Sequence, residues 1–217
     1  MRGFLSHDGV ITRGINKLVD MVMLAILWLV SCIPLITVGA ASTALYYTVQ
    51  KVIKYDCGKI GAEYWRSFRM NFKQATVVWL ILLVIYYLFG VSLYSTWLLC
   101  SAGLTDKWTI LMTAIPAILV TMWAVYLFPS IARFHNKTKT IMINCLTIAV
   151  MHLGASLLLF LLVAAAIVAV VTVPASVILV PVAYMYFSGF ILEGVFRRYM
   201  SQEELEMEAT MNTVISD

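Results

Sequence analysis

Between Glu63 and Thr76 the chain reads Glu-Tyr-Trp-Arg-Ser-Phe-Arg-Met-Asn-Phe-Lys-Gln-Ala-Thr, its longest stretch combining charge with aromatic weight. At about 100° per residue along a helix, Tyr64, Trp65, Phe68 and Phe72 share one arc, and Arg66, Arg69 and Lys73 share another beside it. The chemistry this arrangement offers is binding. Rings such as Trp65 and Phe68 can sit at headgroup depth, and the cations can face lipid phosphates or an acidic partner surface. The same pattern also serves as a plain anchor for a following membrane span. Arg133, from the stretch Phe128 to His135, adds a further cation to the same expected basic surface.

Groups that could carry catalysis or ion coupling are few. Asp20 is close to Lys17, and Glu193 stands four residues before Arg197, in the order that favours a helical ion pair. His152 has no partner at metal-site spacing. Cys32, Cys57, Cys100 and Cys145 are too far apart for a zinc site or a redox pair. No nucleophile motif, phosphate loop or zinc signature is present. The expectation is therefore a non-enzymatic protein with no metal, no cofactor and no nucleic-acid partner. Asn136-Lys137-Thr138 matches a glycosylation acceptor but falls on the expected cytoplasmic side, so it is discounted. Tyr46, Tyr47, Trp79, Tyr86 and Tyr87 are candidates for lining a solute path, since rings stack on sugars, although aromatic residues in spans also serve packing.

The elements that must position these residues are membrane helices. The 217-residue chain is 62% hydrophobic and only 12% charged, far from soluble averages. Leu18 to Ile33 is an apolar run that Pro34 interrupts. Leu35 to Ile53 begins with small residues (Gly39, Ala40, Ala41, Ser42) and ends at Lys51 and Lys54, which suits a closely packed helix leaving at a basic interface. After the polar connection Tyr55 to Ala62 and the amphipathic helix, the membrane resumes near Ala75. Val77 to Cys100 and Thr109 to Phe128 are the next spans, joined by a tight external loop and with a kink expected at Pro116. Ile141 to Val171 is longer than the ~20 residues a span needs, so its first part, with Asn144 and His152, is expected at the interface or beyond it. Ala175 to Glu193 is the last span, with a second kink expected at Pro181.

The expected fold class is all-α: a polytopic membrane helical bundle of about six membrane helices plus a cytoplasmic amphipathic helix. With both termini cytoplasmic, every one of the 15 lysines and arginines except Lys107 lies inside, which the positive-inside tendency favours. Residues 1–200 form a single membrane-embedded domain in this reading. Residues 201–217 form a short acidic cytoplasmic tail, whose Ser201 to Glu204 is a capping-box pattern and which has the charge to pair with the Arg66 helix.

Pro34 to Gly39, Ala44-Leu45-Tyr46-Tyr47, Trp65-Arg66-Ser67-Phe68-Arg69, Asn71-Phe72-Lys73-Gln74-Ala75, Phe128-Pro129 and Ala132-Arg133-Phe134 together resemble the YesL-like family of small bacterial membrane proteins of unknown function. The resemblance covers most of the chain, and the block Phe-Arg-x-Asn-Phe-Lys-Gln-Ala is its most specific part. It implies a bacterial cytoplasmic membrane and an accessory or regulatory role beside ABC-type carbohydrate uptake, with membrane lipids and ABC permease subunits as partners. The alternative is a small-solute or oligosaccharide permease component acting as a homo-oligomer. The topology has a direct test. Cysteines placed at Ser6 and Thr105 should differ in labelling by a membrane-impermeant reagent, with only Thr105→Cys modified from outside; modification of both would sink the six-helix arrangement.

Overall fold

The structure, a computed structural model, describes residues 10–54, 58–134 and 136–199. Among these residues the regular structure is all helix: α1 (Val10–Cys32), α2 (Val38–Thr48), α3 (Ile60–Ser101), α4 (Lys107–Arg133), α5 (Thr138–Met151), α6 (Leu153–Thr172) and α7 (Val180–Phe196). Helices α1, α3, α4 and α6 are each long and apolar enough to cross a membrane. Their large apolar side chains are widely exposed, including Leu18, Val19 and Val30 on α1, Val84 and Leu88 on α3, Met112 and Leu119 on α4, and Leu161 and Val168 on α6. A surface of that composition fits hydrocarbon as its solvent.

The centre of the bundle is α2. Gly39, Ala40, Ala41, Thr43, Ala44, Leu45, Tyr46 and Thr48 are all buried, because small side chains allow neighbouring backbones to approach closely. A Cβ on Gly39 would fall 2.6 Å from both the Ala75 carbonyl oxygen and the Trp79 Cβ. Thr43 and Thr48 satisfy their hydroxyls by donating to the carbonyls of Gly39 and Ala44 (2.9 and 2.8 Å). The chain then widens into a π-helical turn, Val49–Lys54, an irregularity often found where a helix serves a function. At α2's other end, Trp79 Nε1 donates to the Leu35 carbonyl (2.7 Å). Gly39 therefore faces Ala75 and Trp79 while Tyr47 and Lys51 face Glu63, so α2 runs antiparallel to the first half of α3.

That half is the charged one. Ile60, Tyr64, Ser67, Ala75, Val78 and Leu82 are buried along one stripe, spaced so that successive members share a helix face. Beyond Leu82 no residue of α3 is fully buried. The expected amphipathic helix is thus not a separate element lying at the interface. It continues without a break into the span, and 42 residues at about 1.5 Å each give a rod of roughly 63 Å against a hydrocarbon core of about 30 Å.

Other expectations resolve similarly. Cys32 ends α1 just before Pro34. Four of the expected membrane segments reach spanning length, while Leu35 to Ile53 and Ala175 to Glu193 become shorter elements, α2 with its π turn and α7. The long run from Ile141 divides at His152 (φ −116°, ψ 52°) into α5 and α6. Helix α4 passes through both Pro116 and Pro129 and continues to Arg133. Pro181 opens α7 in place of kinking it, since its missing N–H has no partner to lose in a first turn. Between α3 and α4 the connection is short, and Gly103 takes a positive φ of 72°. The capping-box pattern at Ser201 to Glu204, Cys57 and His135 lie outside the described residues.

Gly39→Val should lower the melting temperature in mild detergent by several degrees, corresponding to an overpacking cost of about 1–3 kcal/mol. Gly90, with nothing within 4 Å of an added Cβ, should accept alanine with no loss. Thermal unfolding of the two variants side by side checks both statements.

Candidate functional site

The first half of α3 presents two faces to its surroundings. Trp65 (39%) and Phe72 (37%) are exposed, and Phe68 lies half-buried between them. Their rings form a ladder: Trp65 and Phe68 meet edge to face with centroids 5.3 Å apart, and Phe68 and Phe72 follow at 5.5 Å. Fully buried Tyr64 stacks on Phe68 (6.3 Å), tying the ladder to the core. Arg66, Arg69 and Lys73 are exposed on the adjoining arc. Trp65, Arg66, Arg69, Met70, Gly61 and Ala62 line an open groove of about 750 Å³. The face combines apolar area with fixed positive charge, and suits an acidic or phosphate-bearing partner.

Arg133, expected on the same surface, is turned inward. Its Nη2 lies 3.4 Å from Glu193 Oε2, and Glu193, only 6% exposed, also accepts a hydrogen bond at Oε1 from the Tyr46 hydroxyl (3.1 Å). The Glu193 carboxylate thus joins α2, α4 and α7, a wider role than the local pairing with Arg197 that the sequence spacing offers. The contact to Arg133 is an ion pair without an aligned hydrogen bond at Oε2. One turn along α2 from Tyr46, Gln50 is buried against Gly189 of α7, where a Cβ would collide with its amide. Gln50 Nε2 has no partner among the described residues, and its Oε1 accepts from Lys54 (3.4 Å). Lys54 in turn stands 4.9 Å over the Phe190 ring. The π turn carries this seam of polar groups along α7.

A second ion pair closes the same end of α2. Lys51 Nζ lies 3.0 Å from Glu63 Oε2 and 3.3 Å from the Tyr47 hydroxyl. Burial draws the Lys51 ammonium down, but its hydrogen bonds to Glu63 and Tyr47 more than offset this and hold its pKa above the usual lysine value.

The five aromatic residues proposed for a solute path do not converge. Tyr46 is buried on Glu193, Tyr47 faces Glu63, and Tyr87 is 71% exposed on the outside of α3. Trp79 and Tyr86 do share a cavity of about 180 Å³ with Ser42, Thr121 and Tyr184. Tyr86 there donates to the Thr121 hydroxyl (3.3 Å). His152 sits at the α5–α6 break and is not alone: its Nε2 lies 3.1 Å from the Tyr199 hydroxyl. The described residues hold no cluster of three or more metal-ligating acids, histidines or cysteines. Lys137, which the sequence places in the basic loop after Phe134, lies beside Lys73, where Gln74 donates to the Asn136 carbonyl (2.9 Å).

Fold and site together define an all-α membrane helical bundle whose longest helix carries a basic and aromatic face. A profile for a family described as "Protein of unknown function, DUF624" matches residues 21–93, which take in most of α1, all of α2 and most of α3. No curated protein and no solved structure matches the chain.

Breaking one side of a buried ion pair leaves an uncompensated charge, and Arg133, 28% exposed, retains some water to soften the loss. Glu193→Gln and Arg133→Gln should each destabilise by about 1–3 kcal/mol, and the double variant by less than their sum. Additive losses in a thermal double-mutant cycle would mean that the pair contributes no coupling.

Proposed function

We propose that this protein is a non-enzymatic accessory or regulatory membrane subunit that uses the Arg66–Lys73 face of α3 to dock a cytoplasmic partner surface. The observation that carries this reading is the exposure of Trp65, Arg66, Arg69, Phe72 and Lys73 on a helix whose opposite face is built into the core. A docking element gains from such rooting, because the side chains that meet the partner need little further ordering. The absence of a catalytic motif in the sequence supports a binding role. The match at residues 21–93 includes this face, and the YesL-like resemblance of the Phe68 to Ala75 block points to the permease subunits of an ABC-type carbohydrate uptake system as the partner. In this reading the charged half of α3 and both termini lie on the cytoplasmic side of a bacterial membrane.

Replacing Arg66, Arg69 and Lys73 together by glutamine should leave membrane insertion and melting temperature unchanged, because all three side chains are exposed. Recovery of permease subunits with the tagged protein from native membranes should fall to about a tenth or less, as expected when interfacial charges of a docking surface are removed. Undiminished co-purification would overturn the assignment of this face.

A further inference from the structure

A second basic surface lies beyond the Lys73 end of the docking face. Lys73, Gln74, Asn136, Lys137 and Thr138 line a shallow depression in which Lys73 and Lys137 are exposed, and Lys139, also exposed, follows two residues on in the first turn of α5. This is also where α5 begins, with Lys137 at its N-cap and no side chain capping it. A lysine has no acceptor to offer the free N–H groups of a first turn, whereas a carboxylate there would meet both those donors and the positive end of the helix dipole.

The described chain leaves α7 close by. Tyr199 lines a cavity of about 240 Å³ together with Asn136, Phe134 and Asn144, and the Asn136 carbonyl is the group that receives Gln74. The sequence that follows is the most acidic in the protein: residues 201–217 contain Glu203, Glu204, Glu206, Glu208 and Asp217 and no lysine or arginine. From Tyr199, an extended chain brings Glu203 to Glu208 within about 13–30 Å, ample to reach a surface that shares Asn136 with the Tyr199 cavity.

We propose that the acidic segment Glu203–Glu208 docks in cis on the Lys73–Lys137–Lys139 surface, one carboxylate capping α5 and the others facing the lysines. The segment then neutralises Lys73, the one residue this surface shares with the partner-docking face, while leaving Trp65, Arg66, Arg69 and Phe72 to an outside partner. This assignment does not depend on the identity of that partner.

The full chain, reconstituted in zwitterionic vesicles as a mixture of ¹⁴N- and ¹⁵N-labelled copies, is treated with a zero-length carbodiimide and its cross-linked peptides are sequenced. Links from Lys73, Lys137 or Lys139 to Glu203, Glu204, Glu206 or Glu208 should form within single copies and fade as salt is raised from about 0.05 to about 0.5 M. Links mainly between differently labelled copies, or links to Lys107 that are equally abundant, would overturn the proposal. As a second readout, deletion of residues 201–217 should raise acylation of Lys73 and Lys137 about threefold or more, the scale of a few surface ion pairs, while Lys107 stays unchanged. Unchanged acylation would overturn it. So would protection that survives the deletion but appears only in anionic vesicles, which would assign the surface to lipid. Neither result bears on permease co-purification, so docking of this segment and docking of a partner can fail separately.

Discussion

The close approach of α2 to α3 at Gly39 governs the rest of the structure. Two helix backbones reach this separation only where one of them has no side chain to interpose, and here the Ala75 carbonyl and the Trp79 Cβ occupy the space a Cβ would take. With α2 seated there, Tyr46 and Gln50 are directed at α7 and Tyr47 and Lys51 at Glu63. The polar seam and the terminal ion pair are both consequences of that registry. Inside such a contact, dispersion and hydrogen bonding must supply the stabilisation, because lipid tails solvate apolar side chains as well as a protein interior does.

Polar groups are accordingly placed where the helices meet. Glu193, Tyr46 and Arg133 join three helices, Tyr126 and Ser156 share a buried hydrogen bond (3.0 Å), and Trp123 donates to the Met142 carbonyl (3.0 Å). The large apolar side chains of α1, α3, α4 and α6 are turned outward in contrast. The arrangement inverts the soluble pattern at the level of side chains without altering any rule of helix geometry.

Much of this was legible in the sequence. The apolar runs gave the long helices, Pro34 marked the end of α1, the small residues of α2 signalled tight packing, and the two arcs around Phe68 stand where a helical projection puts them. The continuity of α3 was harder to see, because the change from charged to apolar composition near Ala75 reads as a boundary. A better guide was the inward stripe Ile60, Tyr64, Ser67, Ala75, Val78 and Leu82, which crosses that boundary with helical spacing intact. The partners of Glu193 and Arg133 were not legible, since they lie 147 and 60 positions apart along the chain from Tyr46 and from each other, and spacing rules reach only one or two turns. The basic loop holding Lys137 was legible, but not its place beside Lys73, which a hydrogen bond between Gln74 and Asn136, 62 positions apart, accompanies.

One uninterrupted helix of 42 residues also has a mechanical meaning. A rod has no hinge at which to lose a rotation, so whatever inclines its lipid-facing half inclines the Arg66 end equally. From the Gly39 contact at Ala75 to Arg66 is nine residues, about 13 Å, so a change in tilt of about 10°, well within the range that bilayer thickness imposes on spanning helices, displaces Arg66 by about 2 Å. The membrane's own dimensions are in this way written into the position of the basic face, and α3 acts as a lever whose fulcrum is the contact between Gly39 and Ala75.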